Sequence, residues 1–156
     1  MRIKVKGFTL IEIIITITLI SILSVIVSRV LINNFKAILT YQYASEVDWQ
    51  LLVGMERIVN DIRSIRSFSD VTTISANSFT FTDYNGNAIT YSLSGSSLMR
   101  NATMLANNIT GLTFTYLNSS GVTTATASAV RYVTVTLSAT VGTFDSSLST
   151  MVAVRE

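Results

Sequence analysis

The chain of 156 residues contains no cysteine, no histidine and no proline. Each absence removes a class of chemistry. Without cysteine there is no disulfide framework, no thiolate metal site and no thiol nucleophile. Without histidine the commonest general base and the commonest zinc ligand are missing. Without proline nothing obliges a helix to kink or a turn to stiffen. Charge is sparse, at 13% Asp, Glu, Lys and Arg, and unevenly placed. Arg2, Lys4 and Lys6 precede a long apolar run, and without them the rest holds eight basic residues against nine acidic ones. That body is not the basic surface a phosphate backbone requires, so no nucleic-acid partner is expected. Serines are plentiful, but no motif places a base to activate one. The chain reads as a non-enzyme with no metal and no cofactor.

What is present is hydrophobic length. Phe8 to Ser28 form 21 positions whose only charge is Glu12. As a helix rising about 1.5 Å per residue they span about 31 Å, matching a bilayer hydrocarbon core of about 30 Å. An ionisable group at that depth costs free energy and therefore marks a function. The three leading positives place the N-terminus in the cytoplasm and the C-terminal body outside. An ordinary secretory signal peptide has a shorter apolar region and a small-residue cleavage site, neither of which fits. A plain signal anchor explains everything here except Gly7 and Glu12.

From Arg29 the pattern turns amphipathic. Val47, Leu51, Met55, Ile58, Ile62 and Ile65 recur at spacings of four, four, three, four and three, which is a helical stripe. Glu46, Asp48, Glu56, Arg57, Asp61, Arg63 and Arg66 mostly take the other faces. One helix is expected from Phe8 to about Ser67, with Tyr41, Tyr43 and Trp49 packed beneath a sheet or at a subunit interface.

After Ser67 the texture changes to Thr, Ser, Val, Phe and Tyr. "SFTFTDYNGNAITYSL" alternates around Asn85-Gly86, the signature of a hairpin with a type I′ turn. Further strands are expected from Gly111, Val130 and Leu148, with "NSSG" at Asn118 and "VGTFDSS" at Val141 as turns or loops. The sheet needs cover on one face and the helix stripe needs a partner, so the two make an α+β domain of about 110 residues: a long N-terminal helix on an antiparallel sheet. Asp83, Asn85 and Asn87 alternate as calcium ligands do, yet Gly86 comes too early for an EF-hand loop, and a turn explains them. The sequons at Asn101, Asn108 and Asn118 are what a Ser- and Thr-rich stretch produces by chance. Arg100, Arg131 and Arg155 are scattered, as solvated strand ends.

Lys6-Gly7-Phe8-Thr9-Leu10-Ile11-Glu12, followed by the apolar span and the long helix, resembles the start of a type IV prepilin or type II secretion pseudopilin. The resemblance implies a leader, 1–7, cut after Gly7 by a prepilin peptidase, and N-methylation of the new terminus, Phe8. It implies a transmembrane and assembly half of the helix over 8–31, an amphipathic half over 32–67 and an antiparallel β domain over 68–156. It also implies pairing of Glu12 with the α-amine of a neighbouring subunit, which sets register in a filament. Within one chain, the cleaved amine at Phe8 and the Glu12 carboxylate stand in an i,i+4 relation, so self-neutralisation is the simpler alternative. The partners implied are other minor and major subunits, the peptidase, an inner-membrane assembly platform and the lipid bilayer. The implied location is the bacterial inner membrane, with the β domain periplasmic.

"MERIVNDIRS" at Met55, "SFTFTDYNGNAITYSLSGSSLMRN", "ITGLTFTYLNSSG" and the final "VAVRE" are similar to J-type minor pseudopilins and W-like minor pilins. That likeness implies a low-copy subunit that helps initiate or cap assembly. The alternative is an adhesive or cargo-binding minor pilin whose β domain contacts a surface, DNA or a secreted protein.

Overall fold

The computed structural model describes residues 7–155 and has the expected α+β layout, one long helix followed by antiparallel strands. Arg2, Lys4, Lys6 and the rest of the expected leader before Gly7 lie outside the described residues. The chain divides into two compact units, Met1–Tyr41 and Gln42–Glu156.

Helix α1 runs Leu10–Arg63, two residues later at its start and four earlier at its end than the sequence pattern predicts. In the first unit it is long and apolar enough to span a bilayer, and its large side chains are exposed. The hydroxyls of Thr16, Thr18, Ser21, Ser24 and Ser28 each donate to a carbonyl three or four residues back, at 2.7–3.0 Å. These polar groups therefore carry no unmet hydrogen bond into an apolar solvent. The C-terminal end of α1 is closed locally. Ser64 donates both its amide and its hydroxyl to the Asp61 carbonyl, and the Ile65 amide bonds the Ile62 carbonyl. That tightened turn ends the helix, and Ile65 then forms an isolated bridge with Asp83.

In the second unit the strands form two antiparallel sheets where the sequence pattern predicts one. The first contains β1 (Val71–Ile74), β2 (Ser78–Thr82), β3 (Ala88–Ser94), β4 (Ser97–Arg100) and β5 (Thr103–Ala106), ordered as in the chain. The second contains β6 (Ile109–Leu117), β7 (Tyr132–Val141) and β8 (Phe144–Ala153). The expected loop "VGTFDSS" is mostly strand. β8 begins at Phe144, which pairs with Val141 across a two-residue turn, and the ladder runs unbroken to Ala153. A period-2 reading misses this because Asp145, Ser146 and Ser147 offer no apolar alternation.

The predicted stripe is the helical part of the core: Val47, Leu51, Met55, Ile58, Ile62 and Ile65 are all buried. Burying each large aliphatic side chain stabilises by about 1.5–3 kcal/mol relative to exposure. Gly54 lies on the same face, where a Cβ would come within 2.8 Å of Leu98 and 3.3 Å of Leu137, so the helix approaches the strands closely there. Phe79 joins the sheets, with ring centroids 5.6 Å from Phe114 and 5.3 Å from Tyr116. The Tyr116 hydroxyl donates to the Ser75 carbonyl at 2.8 Å, and the Phe114 amide donates to the Ala76 carbonyl at 2.7 Å. Burial pushes the Tyr116 phenol well above its ordinary range. Tyr43 sits against Gly142, whereas Trp49 is exposed and does not lie beneath the sheets, and Tyr41 in the first unit is exposed too.

Two arginines depart from the expected solvated ends. Arg131 covers the Phe68 ring at 3.5 Å and donates to the Ser128 and Val130 carbonyls. Arg100 donates to Asp61, which is only 8% exposed and also accepts from the buried Tyr91 hydroxyl at 2.7 Å. Arg57 reaches the other Asp61 oxygen at 3.3 Å. Asp61 thus ties the end of α1 to β3 and β4, and burial plus the neighbouring carboxylate drive the Tyr91 phenol far upward. The same carboxylate raises Arg100. Breaking one side of a buried pair costs about 3–5 kcal/mol, and less where a partner keeps solvent contact. Arg100 keeps 25% of its side chain exposed. Asp61→Ala is therefore expected to lose about 2–3 kcal/mol in urea unfolding of the full chain in micelles, while Tyr91→Phe, which removes a single donor, loses about 1.

The β2–β3 turn is not type I′. Gly86 donates to the Asp83 carbonyl at 3.0 Å and takes φ +85°, while Asn85 has no positive φ. This is a type I turn with a glycine bulge. Asp83 Oδ1 accepts from the Asn85 and Asn87 amides, and Oδ2 accepts from the Asn87 side chain. Its oxygens thus serve turn donors. The Asn87 amide, first among these donors, holds the Asp83 carboxyl below its ordinary 3.8. A depressed carboxylate contributes stability that is present above its unfolded value and lost as pH falls through the folded one. Asp83→Asn keeps an acceptor but cannot ionise. The gap between the thermal midpoints of wild type and variant is therefore expected to close as pH falls from about 5 towards 2, and a gap that stays constant would remove the ionic contribution.

Candidate functional site

The residues singled out by the sequence, Gly7, Phe8 and Glu12, gather at the start of α1. With Thr9 they line an open recess of about 480 Å³. Gly7 has open space around the position of a Cβ, and the Phe8 side chain is exposed. The scissile position expected between Gly7 and Phe8 therefore lies in irregular, accessible backbone just before the helix.

Glu12 is the acidic residue of the first turn. One of its oxygens, Oε2, accepts from the Thr9 amide at 2.8 Å and from the Thr9 hydroxyl at 2.9 Å. In return the Glu12 amide donates to the Thr9 hydroxyl at 3.4 Å. This is a reciprocal capping box, in which a Thr at the cap and a Glu three residues on satisfy each other's orphan donors. The macrodipole also favours a carboxylate at this end. Since α1 begins at Leu10, Phe8 precedes the helix. The carboxylate is held by Thr9 through Oε2, and Oε1 has no hydrogen-bond partner among the described residues.

Thr9 is the residue that sequence reading missed at this site. Its signal was available, because Thr9-x-x-Glu12 ahead of an apolar run is the sequence form of a capping box. A charge-centred reading of Glu12 passed over it.

Outside this end, the described residues contain no group of three acidic side chains placed to hold a metal ion. Of the three sequons, Asn101 and Asn108 take left-handed backbone, and the Asn101 and Asn118 side-chain oxygens bond nearby amides. They act as turn formers.

Residues 2–28 match the family model described as the prokaryotic N-terminal methylation motif. No curated protein matches the chain. The motif, confined to the N-terminal end of the chain, supports a type IV pilin or pseudopilin precursor.

Losing an N-cap hydroxyl costs about 1 kcal/mol. In Thr9→Val the Glu12 amide is expected to exchange with solvent about fivefold faster than in the parent, measured by NMR on the full chain in micelles. Unchanged exchange would mean the box contributes nothing to the helix start.

Proposed function

We propose that this chain is a minor pilin or pseudopilin, a low-copy structural subunit that helps initiate or cap a type IV pilus or a type II secretion pseudopilus. In this reading the precursor sits in the bacterial inner membrane with its N-terminus cytoplasmic and its β domain outside. Prepilin peptidase hydrolyses the bond after Gly7, leaving a carboxylate on Gly7 and a free amine on Phe8, and that amine takes one methyl group. The mature chain then leaves the bilayer through the assembly platform by transferring its apolar helix into a core of neighbouring helices. Glu12 receives the α-amine of an adjacent subunit, and that pairing sets register more than it adds stability. The observation that carries this reading is the combination, at one helix end, of the methylation motif, an accessible Gly7–Phe8 bond and a carboxylate oriented by its cap. The J-type or W-like assignment is supported by the segments from Met55 onward and by the absence of cysteine and of a helix proline, both frequent in abundant pilins.

Intact mass of the purified protein tests the central steps. The parent is expected to lack Met1 to Gly7 and to carry one added methyl group, whereas Gly7→Phe keeps the full precursor mass. Glu12→Leu is expected to be cut normally yet recovered in the membrane and not in sheared filaments. Normal incorporation of that variant would end the pairing role, and normal processing of Gly7→Phe would end the cleavage assignment.

A further inference from the structure

Six arginines are the only basic side chains between Gln42 and Glu156. Four are engaged: Arg57 and Arg100 with Asp61, Arg66 with Asp70, and Arg131 with Phe68 and two carbonyls. Arg63 and Arg155 have no acidic partner among the described residues, and both line one cleft of about 610 Å³. Asn60, Ser64, Tyr84 and Met151 form much of the rest of its wall. Tyr84 is 63% exposed and Met151 60% exposed, so an aromatic ring and a thioether stand open beside two guanidiniums that lack an acidic partner among the described residues.

Tyr, Met and Arg are the residue types enriched where proteins bind one another. A guanidinium offers a planar fork that matches a carboxylate, and two at a single cleft lined by no acidic residue give it a local positive character. The unit as a whole holds six basic residues against eight acidic ones, so its summed charge does not draw in an extended polyanion or an anionic bilayer. A short carboxylate-bearing chain is recognised by local geometry instead, and the open apolar side chains give it a reason to be a peptide.

We propose that this cleft docks an acidic segment of another protein, its carboxylates on Arg63 and Arg155 and an adjoining apolar side chain on Tyr84 and Met151. The assignment stands apart from the filament reading, since every residue it uses belongs to the β-bearing unit and no processing step is involved.

The test is fluorescence anisotropy on the full chain in neutral detergent micelles, with the labelled hexapeptide Leu-Asp-Glu-Phe-Asp-Leu as probe. The acidic probe is expected to bind at least tenfold more tightly than its Asn/Gln counterpart. Arg63→Glu and Arg155→Glu are each expected to weaken it at least tenfold, while Lys36→Glu leaves it unchanged. The double variant Arg63→Glu/Arg155→Glu is expected to gain binding to Leu-Lys-Lys-Phe-Lys-Leu, a gain that misfolding does not produce. Four results would each overturn the proposal: no binding of the acidic probe, equal binding to the neutral peptide, displacement by inorganic phosphate at concentrations comparable to the peptide, or binding that emerges only after deletion of Glu156. The third would assign the cleft to a small anion and the fourth to the chain's own terminus.

Discussion

One helix has to satisfy two different surroundings, and most of the molecule follows from that constraint. From Leu10 to Val27 α1 has apolar residues on every face, and its large side chains are exposed. From Val47 onward the apolar residues narrow to a single stripe, and the two sheets exist to cover it. An all-round apolar helix belongs in lipid or in a bundle of like helices, and a one-sided one belongs on a protein core. The changeover needs no break in the backbone. Intrahelical bonding is complete in either solvent, and the hydroxyls of the first unit are satisfied by carbonyls of their own helix.

The second unit is held by apolar contact but oriented by charge. Burial of the stripe against the strands supplies non-directional free energy that would tolerate a helix rotated or slid by a few degrees. Asp61 removes that freedom. Its carboxylate accepts from Tyr91 on β3 and Arg100 on β4, while Arg57 on the same helix takes the second oxygen. Sliding the helix by one turn would leave a buried carboxylate and a buried phenol unmatched, a cost far larger than the apolar contacts could regain. Gly54 adds a steric version of the same constraint, since a Cβ there would require the Leu98 and Leu137 methyls to shift.

How much of this was legible depends on which interactions are local. The helix stripe was readable to the residue because burial follows a 3.6 period, and the hairpin at Asn85-Gly86 was readable because a glycine was placed where the chain reverses. The turn type was not, because the side chain of Asp83 decides it through bonds to Asn85 and Asn87. The first half of β8, Phe144 to Ser147, was hidden because edge position, not burial, sets its composition, whereas the half from Leu148 was legible. Asp61 was assigned to the outer face as a charge. Yet it lies three residues after Ile58 and four before Ile65, on the margin of the stripe, and that position marks a charge that needs a partner across the core. Arg100 and Arg131 read as scattered because Asp61, the acceptor of one, and Phe68, the ring beneath the other, are distant in sequence.

The site at the helix start shows how a carboxylate can sit at the mouth of an apolar span without a second chain. Thr9 gives Glu12 two donors, amide and hydroxyl, both on the same oxygen. This lowers the cost of the charge in the uncut chain, because a hydrogen-bonded ion is far cheaper to desolvate than a bare one. Oε1 has no hydrogen-bond partner among the described residues. A cap that used both oxygens would compete with any incoming cation, and a carboxylate with no cap would be free to fold back on whatever amine its own chain offered. The capping box does neither. It fixes the side chain along the first turn, with Phe8 already outside the helix.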